Sequence, residues 1–488
     1  MAELIRDTVF GHIVRLVSRN KLLQYAEERD PSLWQRYLDK EKSGNAARYG
    51  QLEPPEDSDK EKEDGERQLT SSRSSSSGTA VADDNATYNQ PSGVKVDPEK
   101  GKDVHVVSWF GDNDPENPMN WSLFKKCFVT FEICLLTFGV YIGSAIYSAG
   151  EMDVMKVFGV SQVAATLGLT LFVAGYGLGP VSMLLSIREV PWLMFLQMIW
   201  SPMSEIPQIG RNNIYIGTLF IFVIFQVPTA LAVNFGMLLA FRFLTGFFGS
   251  PVLATGGASL ADIYRPQKRA YAMTIWGIAA VSGPTMGPLV GGFAAQARGW
   301  TWTIWELMWL SGFALIFLIF FLPETSAANI LYRRTRRLRK LTGNDKLRCE
   351  PEIMSEQMTG KDIALMTLVR PFTLNFKEPI VLALNLYIAL IYGLLYIWFE
   401  SFPIVFVEMY KFNLGQEGLA FLGILIGTFI TIPPFFWYLY KVQEPQFDEK
   451  GELKPEKRLP AACVGGFAIP ICLFWFGWSA GRTHWYVT

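Results

Sequence analysis

The sequence predicts an all-α polytopic membrane protein that crosses the bilayer about nine times. Of its 488 residues, 50% are hydrophobic and 18% are charged, whereas a soluble chain carries about 25% charged residues. The charges are concentrated in the first 126 residues, and long runs after them contain almost no charge. These runs reach the length of about 20 apolar residues that a helix needs to cross the hydrocarbon core.

The apolar runs define nine spans, which we number 1 to 9 in chain order. Several contain internal glycine and proline, which membrane helices tolerate better than soluble helices do. The spans are predicted at 126–148, 161–180, 213–232, 235–257, 273–295, 302–322, 379–407, 417–440 and 459–480.

Basic residues fall mainly in alternate connections between the spans. Arg211 follows span 2, Arg265 and Arg269 follow span 4, and the run RRTRRLRK at 333–340 follows span 6. Because Lys and Arg are enriched in cytoplasmic loops, the N-terminus and the even-numbered loops are expected in the cytoplasm. The run at 333–340 is expected to lie beside the anionic inner leaflet.

The spans divide the chain into four regions. The first is expected to be cytoplasmic and largely disordered, because 40–105 is polar, charged and rich in serine. Periodic apolar residues within 4–40 predict an amphipathic surface helix there. The regions are 1–125 at the N-terminus, a six-span bundle at 126–322, a cytoplasmic central loop at 323–378 and a partial second bundle at 379–488.

Charged residues in or beside the spans are the first candidates for function. Arg242 lies within span 4, where a charge is costly and marks a functional site by default. Glu205 and Arg211 lie between spans 2 and 3, and Asp262 follows span 4. Such a cluster is expected to form a gate of ion pairs on the cytoplasmic side.

Span 5 contains the glycine-rich segment GPTMGPLVGG. Small residues spaced four apart lie on one helix face and allow a neighbouring backbone to approach closely. A simple packing face would be sufficient to explain them. The residues of this segment that we single out are Gly283, Pro284, Gly287, Pro288, Gly291 and Gly292.

Six segments together resemble the major facilitator superfamily, and specifically its fungal twelve-span drug:proton antiporters. They are DPENPMNWS, SPMSE followed by GRN, RFLTGFFGS, SGPTMGPLVGG, LPETS and LYIWFESFPIVF. The resemblance implies two six-helix bundles, a binding site near the midplane and export of drugs, toxins or secondary metabolites in exchange for protons. It also implies that Arg242 takes part in proton coupling, that GPTMGPLVGG is the antiporter motif between the halves, and that Glu205 and Arg211 belong to a gating loop.

Span 7 supplies the candidate substrate contacts. Tyr392, Tyr396 and Glu400 are four residues apart and share one helix face, and Asn385 precedes them. Aromatic side chains with one acid suit a lipophilic or cationic compound. The alternative is that the tyrosines form an interfacial belt and that Glu400 lies near the outer surface.

The sequence contains no P-loop, no metal-ligand spacing and no nucleophile constellation. We therefore expect no enzyme activity and no cofactor, and an ion gradient as the energy source. The expected partners are a small-molecule substrate, protons and the lipid bilayer, without nucleic acid. A monomer in the plasma membrane is expected.

Two features depart from the pattern of the family. Residues 181–197 interrupt the join between GYGLGP and MIWSPMSE, and we interpret them as an insertion, either a translated intron or an extension of span 2. The second bundle is expected to be truncated, because the family has twelve spans. A non-transporting or defective product of a mis-spliced gene, or a membrane sensor, is the alternative to an exporter.

Overall fold

The protein's structure, a computed structural model, describes residues 2–34, 105–181, 200–357, 365, 369–448 and 451–481. Two expectations from the sequence fall outside these residues almost entirely. They are the disordered stretch at 40–105 and the insertion at 181–197.

The membrane helices confirm the all-α fold expected from the sequence. Within the described residues, eight helices are long and apolar enough to cross a membrane, and they coincide with spans 1 and 3 to 9. Span 2 is the apolar helix Gln162–Val181. The other spans, in order, are Leu123–Phe158, Arg211–Ala230, Phe235–Ile263, Pro266–Arg298, Trp300–Phe321, Pro379–Met409, Leu414–Gln446 and Pro455–Ser479.

Some spans change helix type along their length. Span 1 passes through a 3-10 turn at Ser148–Gly150. Span 4 divides at Pro251, which begins its second helical segment because a proline is accommodated best in the first turn. Spans 7 and 8 contain π-helical turns at Pro403–Met409 and Leu439–Gln443.

Span 1 forms the centre of the first half. Val129, Ile133, Leu136 and Val140 are completely buried, and their spacing places them on one helix face. They share a core with apolar side chains of spans 3, 4 and 6. In the most apolar window of each long first-half span, 33–78% of the residues are buried, compared with 0–6% in spans 7 to 9. Spans 7 to 9 therefore leave most of their apolar surface uncovered by the described residues.

The N-terminus and the central loop form one folded unit beside the ends of the spans. Where the sequence predicted one amphipathic helix, the structure has three short helices: α1 (Ala2–Arg6), α2 (Val9–Val17) and α3 (Ala26–Arg29). The loop after span 6 begins with the helix Ala327–Thr342, which we call the loop helix. It continues through strand β2 (Leu347–Cys349), which pairs in parallel with strand β1 (His105–Val107). Two further helices, Glu350–Gln357 and Arg370–Lys377, lead to span 7.

Two arginines of the basic run of the loop helix are packed inside this unit. Arg334 donates to both carboxylate oxygens of Asp114, at 2.5 and 3.0 Å, and also pairs with Glu116. Arg337 pairs with Glu116 and with Glu27 of α3. The charges of these two side chains are therefore neutralised by acids far away in the sequence, and the position of the run beside the inner leaflet stays a prediction.

Candidate functional site

Arg242 is buried completely at the centre of the first half. Its guanidinium donates to the carbonyl oxygens of Gly143 (2.9 Å), Ser144 (3.5 Å) and Gly168 (3.0 Å). The side chain thus joins span 4 to spans 1 and 2. The rings of Tyr147 and Phe172 lie 4.7 and 4.6 Å from the guanidinium carbon.

Arg242 has no carboxylate partner within ion-pair distance in the described part of the chain. A guanidinium keeps its proton in proteins, so the site holds a permanent positive charge. Three carbonyl dipoles and two aromatic faces stabilise that charge in place of a counter-ion.

Tyrosine side chains of both halves meet next to Arg242. Tyr141 of span 1 and Tyr176 of span 2 pack edge to face, with ring centroids 5.0 Å apart. Tyr392 of span 7 lies within interaction range of Tyr141, and Tyr396 faces Ser144 of span 1. The structure therefore brings both predicted tyrosines of span 7 to the boundary between the halves.

Several polar atoms at this boundary are buried without hydrogen-bond partners among the described residues. They are the hydroxyls of Tyr141 and Tyr176 and one carboxyl oxygen of Glu400. Buried polar atoms in a folded protein normally have partners. Unpaired donors and acceptors that converge between two bundles are what a ligand-binding surface offers.

Glu400 lies at one end of the tyrosine cluster. It is within electrostatic range of Tyr147, the ring that covers Arg242, and also of Glu151 and Glu417. Glu151 belongs to span 1 and Glu417 to span 8, so acids from both halves surround this position. Asn385 is not part of the cluster, because its amide donates to Asn375 (2.7 Å) in the helix before span 7.

An apolar cavity of about 550 Å³ lies on the other side of span 7. Its walls come from spans 5, 7, 8 and 9, and Trp398 contributes to them. Drug-sized ligands occupy pockets of about 300–1,000 Å³. The cavity is therefore large enough for a small organic molecule, and Trp398 contributes an aromatic wall to it.

The glycine face of span 5 packs against span 1. A Cβ atom on Gly283, Gly287 or Gly291 would lie 2.7 Å from an atom of Tyr141 or Ile146, so only glycine permits this approach. Pro284 is buried within the same segment. Pro288 and Gly292 face the start of span 8, where they approach Gly418 and Leu414. The predicted motif thus contacts both halves, with most of it turned toward span 1.

Spans 5 and 8 are antiparallel and contact each other at both ends. At one end Lys268 pairs with Glu444 (2.5 Å). At the other end the amide of Gly415 donates to the side chain of Gln296 (3.3 Å). These contacts form a seam between the two halves.

The predicted ion-pair cluster forms near the ends of spans 2, 3 and 4. Arg211 pairs with Asp262 at 2.7 Å and with Glu205 at 3.3 Å. Glu324, in the LPETS segment, lies beneath this cluster and is 1% exposed. Its carboxylate accepts the backbone N–H groups of Arg211, Asn212, Thr325 and Ser326.

Comparison with known proteins agrees with this architecture. The family model described as "Major Facilitator Superfamily" matches residues 133–488. The chain belongs to the Major Facilitator Superfamily.

Relatives within the superfamily include proteins of fungi. The chain is 47% identical over 384 residues to transporter mfs1 of Schizosaccharomyces pombe, covering 78% of this chain and 69% of that protein. It is 40% identical over 442 residues to fluconazole resistance protein 1 of Saccharomyces cerevisiae, covering 90% and 75%. It is 39% identical over 401 residues to the citrinin biosynthesis cluster MFS transporter mrr1 of Monascus ruber, covering 80% and 74%. The resemblance to fungal drug transporters is confirmed.

Sequence reasoning missed three acids of this Major Facilitator protein. Glu324 was visible as part of LPETS, but its four donors come from two separate segments. No sequence motif marked Glu151 or Glu417. Each lies in a short helix whose sequence is typical of the end of a span or of a connection between spans.

Proposed function

We propose that the protein is a secondary active transporter that exports small organic compounds in exchange for protons. We further propose that it does so from the plasma membrane, with its N-terminus in the cytoplasm and as a monomer. The single observation that carries the proposal is the set of unpaired polar atoms at the boundary between the halves, next to the buried charge of Arg242.

The substrate would be an apolar molecule with a few polar or cationic groups. Tyr392 and Tyr396 supply aromatic faces and hydroxyls for such a molecule. Relatives are named for fluconazole resistance and for a citrinin biosynthesis cluster. Fluconazole and citrinin are therefore the first compounds to test.

Glu400 is the residue that we assign to proton exchange. Its carboxyl group has one unpaired oxygen and neighbouring acids from both halves. A proton and a cationic or hydrogen-bonding substrate would compete for this carboxylate, so that binding of one releases the other. Arg242 would act as a fixed positive charge that favours the ionised form of this carboxyl group and so promotes release of its proton.

The gate of Arg211 with Asp262 and Glu205 would close the cytoplasmic side between cycles. The carboxylate of Glu205 is 64% exposed, and a pair with an exposed acid contributes only about 0–1 kcal/mol. Such weak contacts can break and re-form within a transport cycle.

The test is accumulation of labelled fluconazole in yeast cells that lack their own drug exporters. Cells expressing the chain should accumulate less compound, and a protonophore should abolish the difference. Equal accumulation at confirmed surface expression would contradict export and favour the non-transporting alternative.

Two matched variants separate proton coupling from general damage. Glu400→Gln should lower export by about tenfold or more and remove its dependence on the pH gradient. Glu408→Gln, which changes an exposed acid in the same span, should export normally. Normal proton-driven export by Glu400→Gln would exclude the proposed role of this carboxyl group.

A further inference from the structure

Helix α2 presents a broad apolar face that the other described residues leave uncovered. Ile13 is 53% exposed, Leu16 80% and Val17 76%. At about 100° per residue, the apolar side chains cover an arc of about 160° around the helix. They are Val9, Phe10, Ile13, Val14, Leu16 and Val17.

The opposite face of α2 is fixed to the protein. Arg15 is buried and forms a two-pronged contact with Glu28, at 2.6 and 2.9 Å. Thr8 caps the helix by accepting the N–H of Gly11 (3.0 Å), and Gly11 is packed so closely against α1 that a Cβ atom there would overlap the Ile5 carbonyl oxygen. The orientation of α2 is therefore set by polar contacts, and its apolar face is turned outward.

Tyr25 connects this segment to the loop helix. The guanidinium of Arg337 lies 3.4 Å above its ring, and the ring also contacts Arg6 and Arg15. Arg337 pairs in addition with Glu27 (2.7 Å). These contacts fix α2 against the loop helix. They do not involve the exposed apolar face, so the position of α2 does not depend on that face.

The apolar face of α2 continues the membrane-facing surface of span 6. The ring of Phe10 lies 4.8 Å from that of Phe320, near the end of the span. Phe313, Ile316 and Phe320 are 40–59% exposed along one side of span 6, where lipid surrounds the helix. The two apolar surfaces therefore meet without a polar break at Phe10.

Two exposed basic residues come directly after α2 in the sequence. Arg19 and Lys21 lie in the turn after α2 and are exposed. Amphipathic helices that lie in the membrane interface combine such an apolar face with basic residues near anionic headgroups.

We propose that α2 lies in the plane of the membrane, in the headgroup region of the leaflet where span 6 ends, with lipid as its partner. Ile13, Leu16 and Val17 would enter the boundary between headgroups and acyl chains. Arg19 and Lys21 would contact anionic headgroups. Because α2 is clamped to the loop helix through Tyr25, this contact would also position the loop helix relative to the bilayer.

The test places an environment-sensitive fluorophore at position 16 of the full chain in lipid nanodiscs. The five cysteines are all free, so they are first replaced by alanine, and Leu16→Cys is then labelled. The control label is at Arg29→Cys, an exposed position on α3 of the same segment. Nitroxide attached to lipid tails near the headgroups should quench the label at 16 about twofold or more relative to the label at 29.

Three results would overturn the proposal. One is equal access of water-soluble iodide to both labels. Another is protection of position 16 from iodide without quenching by the lipid nitroxide, which would mean that protein covers α2, from a second copy or another partner. The third comes from the unmodified chain in discs that contain photoactivatable phosphatidylserine. We expect lipid adducts within residues 9–22, and their absence would exclude the anionic headgroup contact.

Discussion

Glu324 shows how one buried carboxylate can organise a loop junction. It accepts four backbone N–H groups and lies 3.7 Å from Arg333. Two of the donors are the first amides of span 3, which have no partners within their own helix. The negative charge also lies at the N-terminal end of that helix, where the helix dipole favours it.

Replacing Glu324 by glutamine should destabilise the first half. The amide side chain keeps one acceptor oxygen but loses the charge, and a hydrogen bond to a charged group is worth about 1.5–3 kcal/mol. We expect a lower midpoint of thermal unfolding for Glu324→Gln in detergent, measured by size-exclusion chromatography with fluorescence detection. Glu205→Gln, which removes a 64% exposed partner of Arg211, should change the midpoint little.

At the residue scale, the sequence predicted charges better than it predicted their partners. A charge inside an apolar run stands out, so Arg242 could be singled out from the sequence. The cluster of Arg211 with Asp262 and Glu205 followed from their positions near span ends. The partners of Arg334 could not be found in this way, because Asp114 is separated from it by 220 residues and only tertiary folding brings them together.

Asp114 illustrates what such distant pairing does to titration. Burial raises the pKa of its carboxyl group, but the hydrogen bonds and charge of Arg334 outweigh burial and hold the pKa below its ordinary value. The pair is therefore ionised throughout the physiological pH range. Its contribution to stability would be lost only as the pH falls below the usual range of an aspartate, about 4.

At the element scale, the packing of span 5 against span 1 depends on glycine residues. Gly287 lies so close to span 1 that an added methyl group would be 2.7 Å from the backbone nitrogen of Ile146. Gly277 lies in the same helix with nothing within 4 Å of an added methyl group. The two glycines therefore provide a matched pair for testing helix packing.

Gly287→Ala should destabilise the protein by about 1–3 kcal/mol, because the methyl group forces spans 1 and 5 apart. Gly277→Ala should be neutral or stabilise by about 0.5–1 kcal/mol through the helix preference of alanine. Thermal unfolding in detergent measures both. Equal effects of the two substitutions would show that helix preference, and not close packing, determines the role of the motif.

The docking of α2 should depend on pH through His12. Burial and the charge of Arg333 lower the pKa of His12 to about 4. Since the pKa in the docked state lies below the ordinary value of about 6.5, docking is fully favoured above that value and weakens as the pH falls toward 4. The charged groups that influence His12 are Arg333, Asp7, Arg15 and Arg337.

Hydrogen exchange of residues 2–29, corrected for the intrinsic effect of pH, should reveal this weakening between about pH 7 and about pH 5. His12→Asn cannot titrate, so its protection should depend less on pH in this window. Identical pH dependence in both proteins would exclude His12 as the titrating group.

Apolar length located the spans well but did not predict the unit formed by the N-terminus and the loop. The spans satisfy the simple requirement of covering the hydrocarbon core. The α2 segment showed its amphipathic pattern, yet its division into α1, α2 and α3 depends on the contacts of Tyr25 with Arg337 and Arg15. Such contacts depend on the tertiary structure and leave no periodic signal.

At the scale of the whole molecule, the two halves meet along the seam of spans 5 and 8. Lys268 and Glu444 close one end of it, and both side chains remain partly exposed. A pair of this kind contributes about 1 kcal/mol or less. It can therefore change the equilibrium constant between two arrangements of the halves by only about fivefold. A contact this weak can open during a transport cycle.

Lys268→Glu should shift the protein toward the arrangement in which this end of the seam is open. Glu444→Lys should do the same, and the double exchange should restore the original balance because the pair is re-formed with reversed charges. The readout is the distance distribution between spin labels at the ends of spans 5 and 8. Additive effects in the double variant would show that the two side chains act independently.

The anchoring of Arg242 has an electrical consequence. All three carbonyl oxygens that hold its guanidinium belong to the same half as Arg242, so this positive charge travels with that half as a rigid body. A rocking motion about the midplane would move a central charge only slightly through the transmembrane field, and work against a voltage requires displacement along that field. With the proposed exchange against protons, the net current of one cycle should equal the charge of the cargo minus that of the protons. A membrane potential should then leave the export of a monovalent cation against one proton almost unchanged.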